Sequence, residues 1–255
     1  MDLLAIAITI AAGVVMGAIN NLAGGAGIVG LMAFEYACGL PLAVANPSLR
    51  LAGLCVGLFA LLGYLRAGKQ PSLRTWLASL WAVPGAPIGS WLALQLPDWV
   101  FWTYLTIVLG ILLRQQTRPV AADEPERNWP VWAGPLGCFV AGVHMGYAQV
   151  GAGLLSTLLL TASFGRDLVG LAVAKSTLVI VTCVASVGSF WSADAMAMEP
   201  AGWLAVGTAI GAYQASGWAV AKGSGAMRRV IVVVTAIMLV YAFGKAVLAI
   251  IATIH

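Results

Sequence analysis

"AVANPSL" (43–49) returns 129 residues later as "AVAKSTL" (172–178) in a chain of 255 residues, with Asn46 in the first copy standing where the second carries Lys175. Two flanking blocks repeat in the same order. "GGAG" (24–27) precedes the first heptapeptide as "VGAG" (150–153) precedes the second, and "PGAPIGSWLAL" (84–94) has a weaker echo in "IGAYQASGWAV" (210–220). The chain therefore reads as one unit written twice, with a cation added to one copy only.

Composition fixes the solvent in which that unit folds. Sixty-one per cent of the residues are hydrophobic and nine per cent are charged, a balance foreign to soluble domains and to nucleic-acid binders. Apolar runs of the ~20 residues needed to span a hydrocarbon core follow one another from end to end. The only long hydrophilic interval is "RQQTRPVAADEPERN" (114–128). This divides the chain into a first membrane repeat (1–113), a linker (114–129) on the cytoplasmic side and a second repeat (130–255). The first segment has no basic leader region and reads as a retained membrane segment. Cys38, Cys55, Cys138 and Cys183 stand singly, so they read as packing residues; no metal or cofactor is expected.

Breaks between apolar runs give ten candidate segments: 3–22, 27–38, 41–65, 75–95, 98–113, 130–149, 152–164, 167–191, 200–221 and 229–252. Two of them, 27–38 and 152–164, span only ~18–20 Å, too little for a ~30 Å core. Each follows a glycine-rich break. Ten of the thirteen basic residues lie in loops: Arg66, Lys69, Arg74, Arg114, Arg118, Arg127, Arg166, Lys222, Arg228 and Arg229. If the short segments are ignored these divide six against four between the two faces. If each short segment crosses, or forms a re-entrant hairpin with its predecessor, all ten fall on one face, as cytoplasmic loops require. The expected fold is thus an all-α integral membrane protein of two inverted repeats, five segments each, with both termini periplasmic. Inverted repeats with interrupted helices are a construction of secondary transporters.

Three cations remain inside segments. Lys245 lies near a segment end, where snorkelling accounts for it. Lys175 and Arg50 sit ~12–14 Å deep by helical rise, where a charge persists only with a partner or a polar cavity. Glu35 is the only carboxylate that falls neither in a loop nor at a segment end, and pairing with Arg50 is one expectation for it. One cation still lacks a protein counter-ion, which an anionic substrate would supply. Half-helices starting after Gly24, Gly25 and Gly27, and after Gly151 and Gly153, would aim N–H groups at it. Asn46 with Pro47 reads either as the start of another half-helix or as a kink in a continuous one. Ser48, Ser176 and Thr177 flank the repeated site, while Asn20 and Asn21 precede the first break and His144, Tyr147 and Gln149 the second. These groups either meet a substrate oxygen or satisfy freed backbone carbonyls.

The glycine breaks with short helices after them, the paired heptapeptides and "GYLRAGKQPSLRTWLASLWAVPGAPIGSWLAL" (63–94) resemble the sulfite exporter TauE/SafE family, also called the toluene sulfonate uptake permeases. The resemblance implies a bacterial inner-membrane permease for sulfite or organosulfonates such as sulfoacetate. Asn46 and Lys175 stand where that family usually has threonine, and the lysine suits a fully charged anion. An anion channel, or a permease for another small organic anion such as a carboxylate, is the alternative. HExxH and nucleophile-elbow patterns are missing, so an enzyme is not expected. The partners expected are the anion and the lipid bilayer; a homodimer is left open, since the interfacial tryptophans of 97–105 and 128–132 mark no dimer surface.

Overall fold

The computed structural model describes residues 1–22, 26–117, 130, 132–153, 155–156, 159–160 and 168–254. Among these the chain is all helix and turn. The helices are α1 (Leu3–Leu22), α2 (Gly27–Met32, continued by a π-helical stretch Ala33–Ala37), α3 (Leu42–Arg66), α4 (Leu73–Ser79), α5 (Gly85–Gln95), α6 (Asp98–Thr117), α7 (Ala133–Tyr147), α8 (Leu168–Ser192) and α9 (Met198–Ile254). Ser72 caps α4 by accepting from Thr75 N at 3.2 Å. The segment expected at 75–95 is broken into α4, a 3₁₀ turn at Leu80–Ala82 and α5, with Pro84 heading α5. The linker beyond Thr117, Gly24, Gly25 and the end of the expected segment 152–164 fall outside the described residues.

Polarity is arranged inside out. Val240, Leu248 and Ile237 are exposed, whereas Arg50, Lys175, Asn21, Gln149 and Thr208 are buried. Large apolar side chains facing outward are stable only against lipid, because water would not tolerate a patch of that extent. Leu3–Asn21, Leu42–Arg66, Leu73–Gln95, Val169–Ser192 and Val232–Thr253 are long and apolar enough to cross a membrane. The chain is an integral membrane protein.

Helices in lipid gain nothing from hiding apolar surface from one another, so close packing of small residues must hold them together. Two such pairs are built here. Gly13 and Gly17 of α1 meet Gly207, Thr208 and Gly211 of α9; a Cβ on Gly207 would lie 2.9 Å from Gly13 Cα. Gly85 and Gly89 of α5 meet α7 around Gly142 and Gly146 in the same manner, a Cβ on Gly142 lying 2.9 Å from Ala82 Cα. Each glycine is four residues from its mate, so all fall on one helix face. Within each pair the helices run parallel, since Gly207 abuts Ile10 and Gly13 while Gly211 abuts Val14 and Ala18. By contrast α3 and α8 cross antiparallel: Gly53 faces Cys183, Gly57 faces Ser176 and Ile180, and Arg50 lies over Phe190.

Helix α9 has 57 residues, and a straight helix of that length would measure ~85 Å. It cannot be straight. A Cβ on Gly30 would touch Leu204 Cδ2 at 3.0 Å, and Glu35, five residues on, accepts from the Tyr241 hydroxyl at 3.2 Å. Leu204 and Tyr241 would stand ~55 Å apart along one axis, so the chain reverses between them, as the two expected segments 200–221 and 229–252 require.

The two ends of the bundle follow. Gly39–Pro41, Asp98 and Lys245 share one cavity wall, and the Met1 amino group binds Glu199 at 3.1 Å. Gly68–Ser72 and Val169–Gly170 line a cavity at the other end, where Arg66 donates to the Tyr213 hydroxyl at 2.7 Å. Lys69 and Arg74 lie at this second end, and α6 starts at Asp98 and carries Arg114 toward it.

Candidate functional site

Helices end with carbonyls that no amide of their own can reach. α1 and α7 both stop short, at Leu22 and Tyr147, and their bared carbonyls lie inside the protein. Lys175, which is 5 % exposed, donates from Nζ to Asn20 O at 3.2 Å and Asn21 O at 2.8 Å. Arg50, fully buried, donates from Nη2 to Gly146 O at 2.8 Å, and Asn46 Nδ2 donates to Tyr147 O at 2.9 Å. A positive charge at a helix C-terminus also meets the negative end of the dipole. The repeated heptapeptides thus reach across: the first copy caps α7 and the second caps α1.

Arg50 spends a further donor on its own helix, with Nη1 at 3.0 Å from Asn46 O and 3.3 Å from Asn46 Oδ1. Its guanidinium carbon lies 5.1 Å from the centroid of the Phe190 ring, and Nε is buried with no hydrogen-bond partner among the described residues. The two breaks meet behind these caps, since a Cβ on Gly27 would stand 3.1 Å from Val150 Cα. Gly151 turns the second break with φ +76, a conformation that side chains disfavour; helix resumes at Ala152 and Gly153.

Charge pairing corrects one expectation. Glu35 does not reach Arg50; it forms an ion pair with Lys245, which also lies 5.5 Å from the Tyr36 ring centroid. Lys245 is therefore paired rather than simply snorkelling. The described membrane segments then hold two buried cations, Lys175 and Arg50, which meet neutral carbonyls, an amide and a ring.

A model of the sulfite exporter TauE/SafE family matches residues 9–242. The chain belongs to that family. No curated protein and no solved structure matches it. Membership implies a membrane permease or exporter of sulfur anions, a transporter rather than an enzyme.

Within this family member the other expected site residues divide. Asn21 is an organiser: Nδ2 donates to Ala212 O at 3.0 Å, Oδ1 accepts from the Tyr64 hydroxyl at 2.9 Å, and its carbonyl receives Lys175. Gln149 is buried between Gly53 and Cys183. Tyr147 gives its carbonyl to Asn46, and its buried hydroxyl has no partner among the described residues. Ser48 donates to Val44 O and accepts from Ala197 N, Ser176 donates to Ala172 O, and Thr177 donates to Ala174 O and lies 2.9 Å from Ser79 Oγ. Pro47 lies within continuous α3, which makes it a kink position and excludes an N-cap at Asn46. The receiving carbonyls of Asn20 and Gly146, and the glycine pairs, escaped the sequence reading. For the glycines the signal was present as four-residue spacings; a carbonyl acceptor leaves no trace in side-chain identity.

Proposed function

We propose that this permease is a secondary transporter for small sulfur oxyanions, sulfite or organosulfonates such as sulfoacetate, taken up in mid-membrane beside Lys175, Arg50 and Asn46. One observation carries the reading: two buried cations, with Glu35, the carboxylate expected inside a membrane segment, already committed to Lys245. A cation at this depth costs at least ~2.5–3.5 kcal/mol on insertion scales, and carbonyl dipoles offset that only in part. A substrate anion supplies the full opposite charge. Arg50 Nε offers it a donor, and the short helix that starts at Gly27 offers amides.

The architecture proposed is two inverted repeats, 1–113 and 130–255, joined by 114–129. Its supports are reciprocal: Asn46 and Lys175 hold position 147 of α7 and positions 20 and 21 of α1; α1 pairs with α9 through glycines as α7 pairs with α5; and α3 and α8, which carry the two heptapeptides, cross antiparallel. With Lys69 and Arg74 facing the cytoplasm of a bacterial inner membrane, both termini lie outside. Rocking of the repeats alternates access. An inside-negative potential drives one exported negative charge by ~2.3 kcal/mol per 100 mV, so export needs no coupling ion.

The test is counterflow of radiolabelled sulfite into proteoliposomes. Saturable counterflow is the expected result. Ohmic anion current without saturable exchange would replace the transporter by a channel.

A further inference from the structure

Two cavities, of about 520 Å³ at the Asp98 end and about 380 Å³ at the Lys69 end, occupy matching places in the repeat. The first is walled by Leu40, Pro41 and Ala45; the second by Val169, Gly170 and Ala174. Ala45 and Ala174 are the third residues of the two heptapeptides. Each cavity is therefore lined by the residue that precedes a capping side chain in the chain, Asn46 in one case and Lys175 in the other. Asn46, next to Ala45 in the chain, bonds Tyr147 O, and Lys175, next to Ala174, bonds Asn20 O and Asn21 O.

The cavities differ in charge. The Asp98 cavity is lined by two carboxylates, Glu35 and Asp98, against one cation, Lys245. The Lys69 cavity is lined by Lys69 with Gln70, Ser72 and Thr75, and among the described residues no carboxylate stands in its wall. An anion is attracted into the second and repelled from the first.

We propose that these cavities are the two vestibules of the anion route, the Lys69 vestibule being a loading site for a small oxyanion and the Asp98 vestibule a release site. Ser72 and Thr75 bond each other through their hydroxyls at 2.9 Å, which leaves one O–H of the pair, with the Gln70 amide, as neutral donors beside the ammonium. The proposal rests on the transporter reading and adds a polarity to it: affinity is higher from the Lys69 face. A uniformly basic cytoplasmic face would produce the Lys69 charge for topological reasons alone, and the experiment separates the two.

Sulfite counterflow is measured in proteoliposomes of known orientation, with substrate offered to one face at a time. For a singly charged anion ~8 Å from Lys69, reversing that charge by Lys69→Glu raises KM at the Lys69 face about four-fold in about 0.01 M salt and about two-fold in about 0.15 M salt. Lys69→Gln gives about half that effect on a logarithmic scale. KM at the opposite face stays unchanged, and Asp98→Asn lowers KM there by about two-fold. Equal changes at both faces, or a Lys69 series with no effect on KM, would overturn the proposal. Wild-type protein without saturable counterflow is a different failure, which removes the transporter reading and the vestibules with it.

Discussion

Replacing Lys175 by methionine separates structural from functional roles of the mid-membrane cation. The side chain keeps its length and loses its charge. Two backbone carbonyls, Asn20 O and Asn21 O, lose their donor, and each unsatisfied buried acceptor costs about 1–3 kcal/mol. Against that, the bilayer no longer has to hold a buried ammonium, worth at least ~2.5–3.5 kcal/mol. The two sums, about 2–6 and about 2.5–3.5 kcal/mol, offset each other in large part. Folding stability of Lys175→Met is therefore expected between about 1.5 kcal/mol above and about 3.5 kcal/mol below the parent, read by unfolding in mixed micelles. Transport does not share the cancellation, because the substrate loses a full opposite charge: a charge-assisted contact of about 1.5–3 kcal/mol corresponds to a 10- to 150-fold loss of KM-limited counterflow. A stable variant that exchanges sulfite with parental KM and rate would refute the reasoning and leave Lys175 as a helix cap only. A variant that fails to fold would show that the cap outweighs the burial cost.

Glycines give a sharper structural contrast: Gly142→Leu or Gly207→Leu should abolish folded protein on size-exclusion chromatography, whereas Gly110→Ala, with open space around it, should be neutral or stabilising by up to about 1 kcal/mol. Glu35→Gln leaves Lys245 without its carboxylate and should lower the melting temperature, while adding Lys245→Met to it should restore most of the loss; a double variant no better than the single one would contradict the pairing. Single cysteines placed at Lys69 and at Asp194 in a background lacking the four native ones should react with impermeant maleimide from opposite faces of the membrane. Labelling of both from one face would invalidate the assigned ends.

Periodicity and charge carried the broad architecture, for a physical reason: lipid demands apolar length, and loop cations choose a face. The short α2 was readable because eleven residues, Gly27–Ala37, cannot span a hydrocarbon core. The reversal within α9 was readable from apolar lengths although helix continues from Met198 to Ile254. Lys175 and Arg50 were legible as misplaced charges. Their partners were not, since Asn20, Asn21 and Gly146 act through carbonyls that every residue owns. The pairing of Glu35 with Lys245 is set by how far α9 turns back, a tertiary distance absent from local spacing. Ser48 and Ser176 carried two readings in the sequence because a hydroxyl beside a site looks the same whether it faces a ligand or its own helix.

The central claim is that Lys175 and Arg50 trade carbonyls for a substrate anion. Cryo-electron microscopy of the protein saturated with sulfite or an organosulfonate measures this directly. The account predicts density between α3 and α8, within hydrogen-bond reach of Lys175 Nζ or Arg50 Nε, with at least one helix-end cap released. Ligand density confined elsewhere, with both side chains still on Asn20, Asn21 and Gly146, would contradict it.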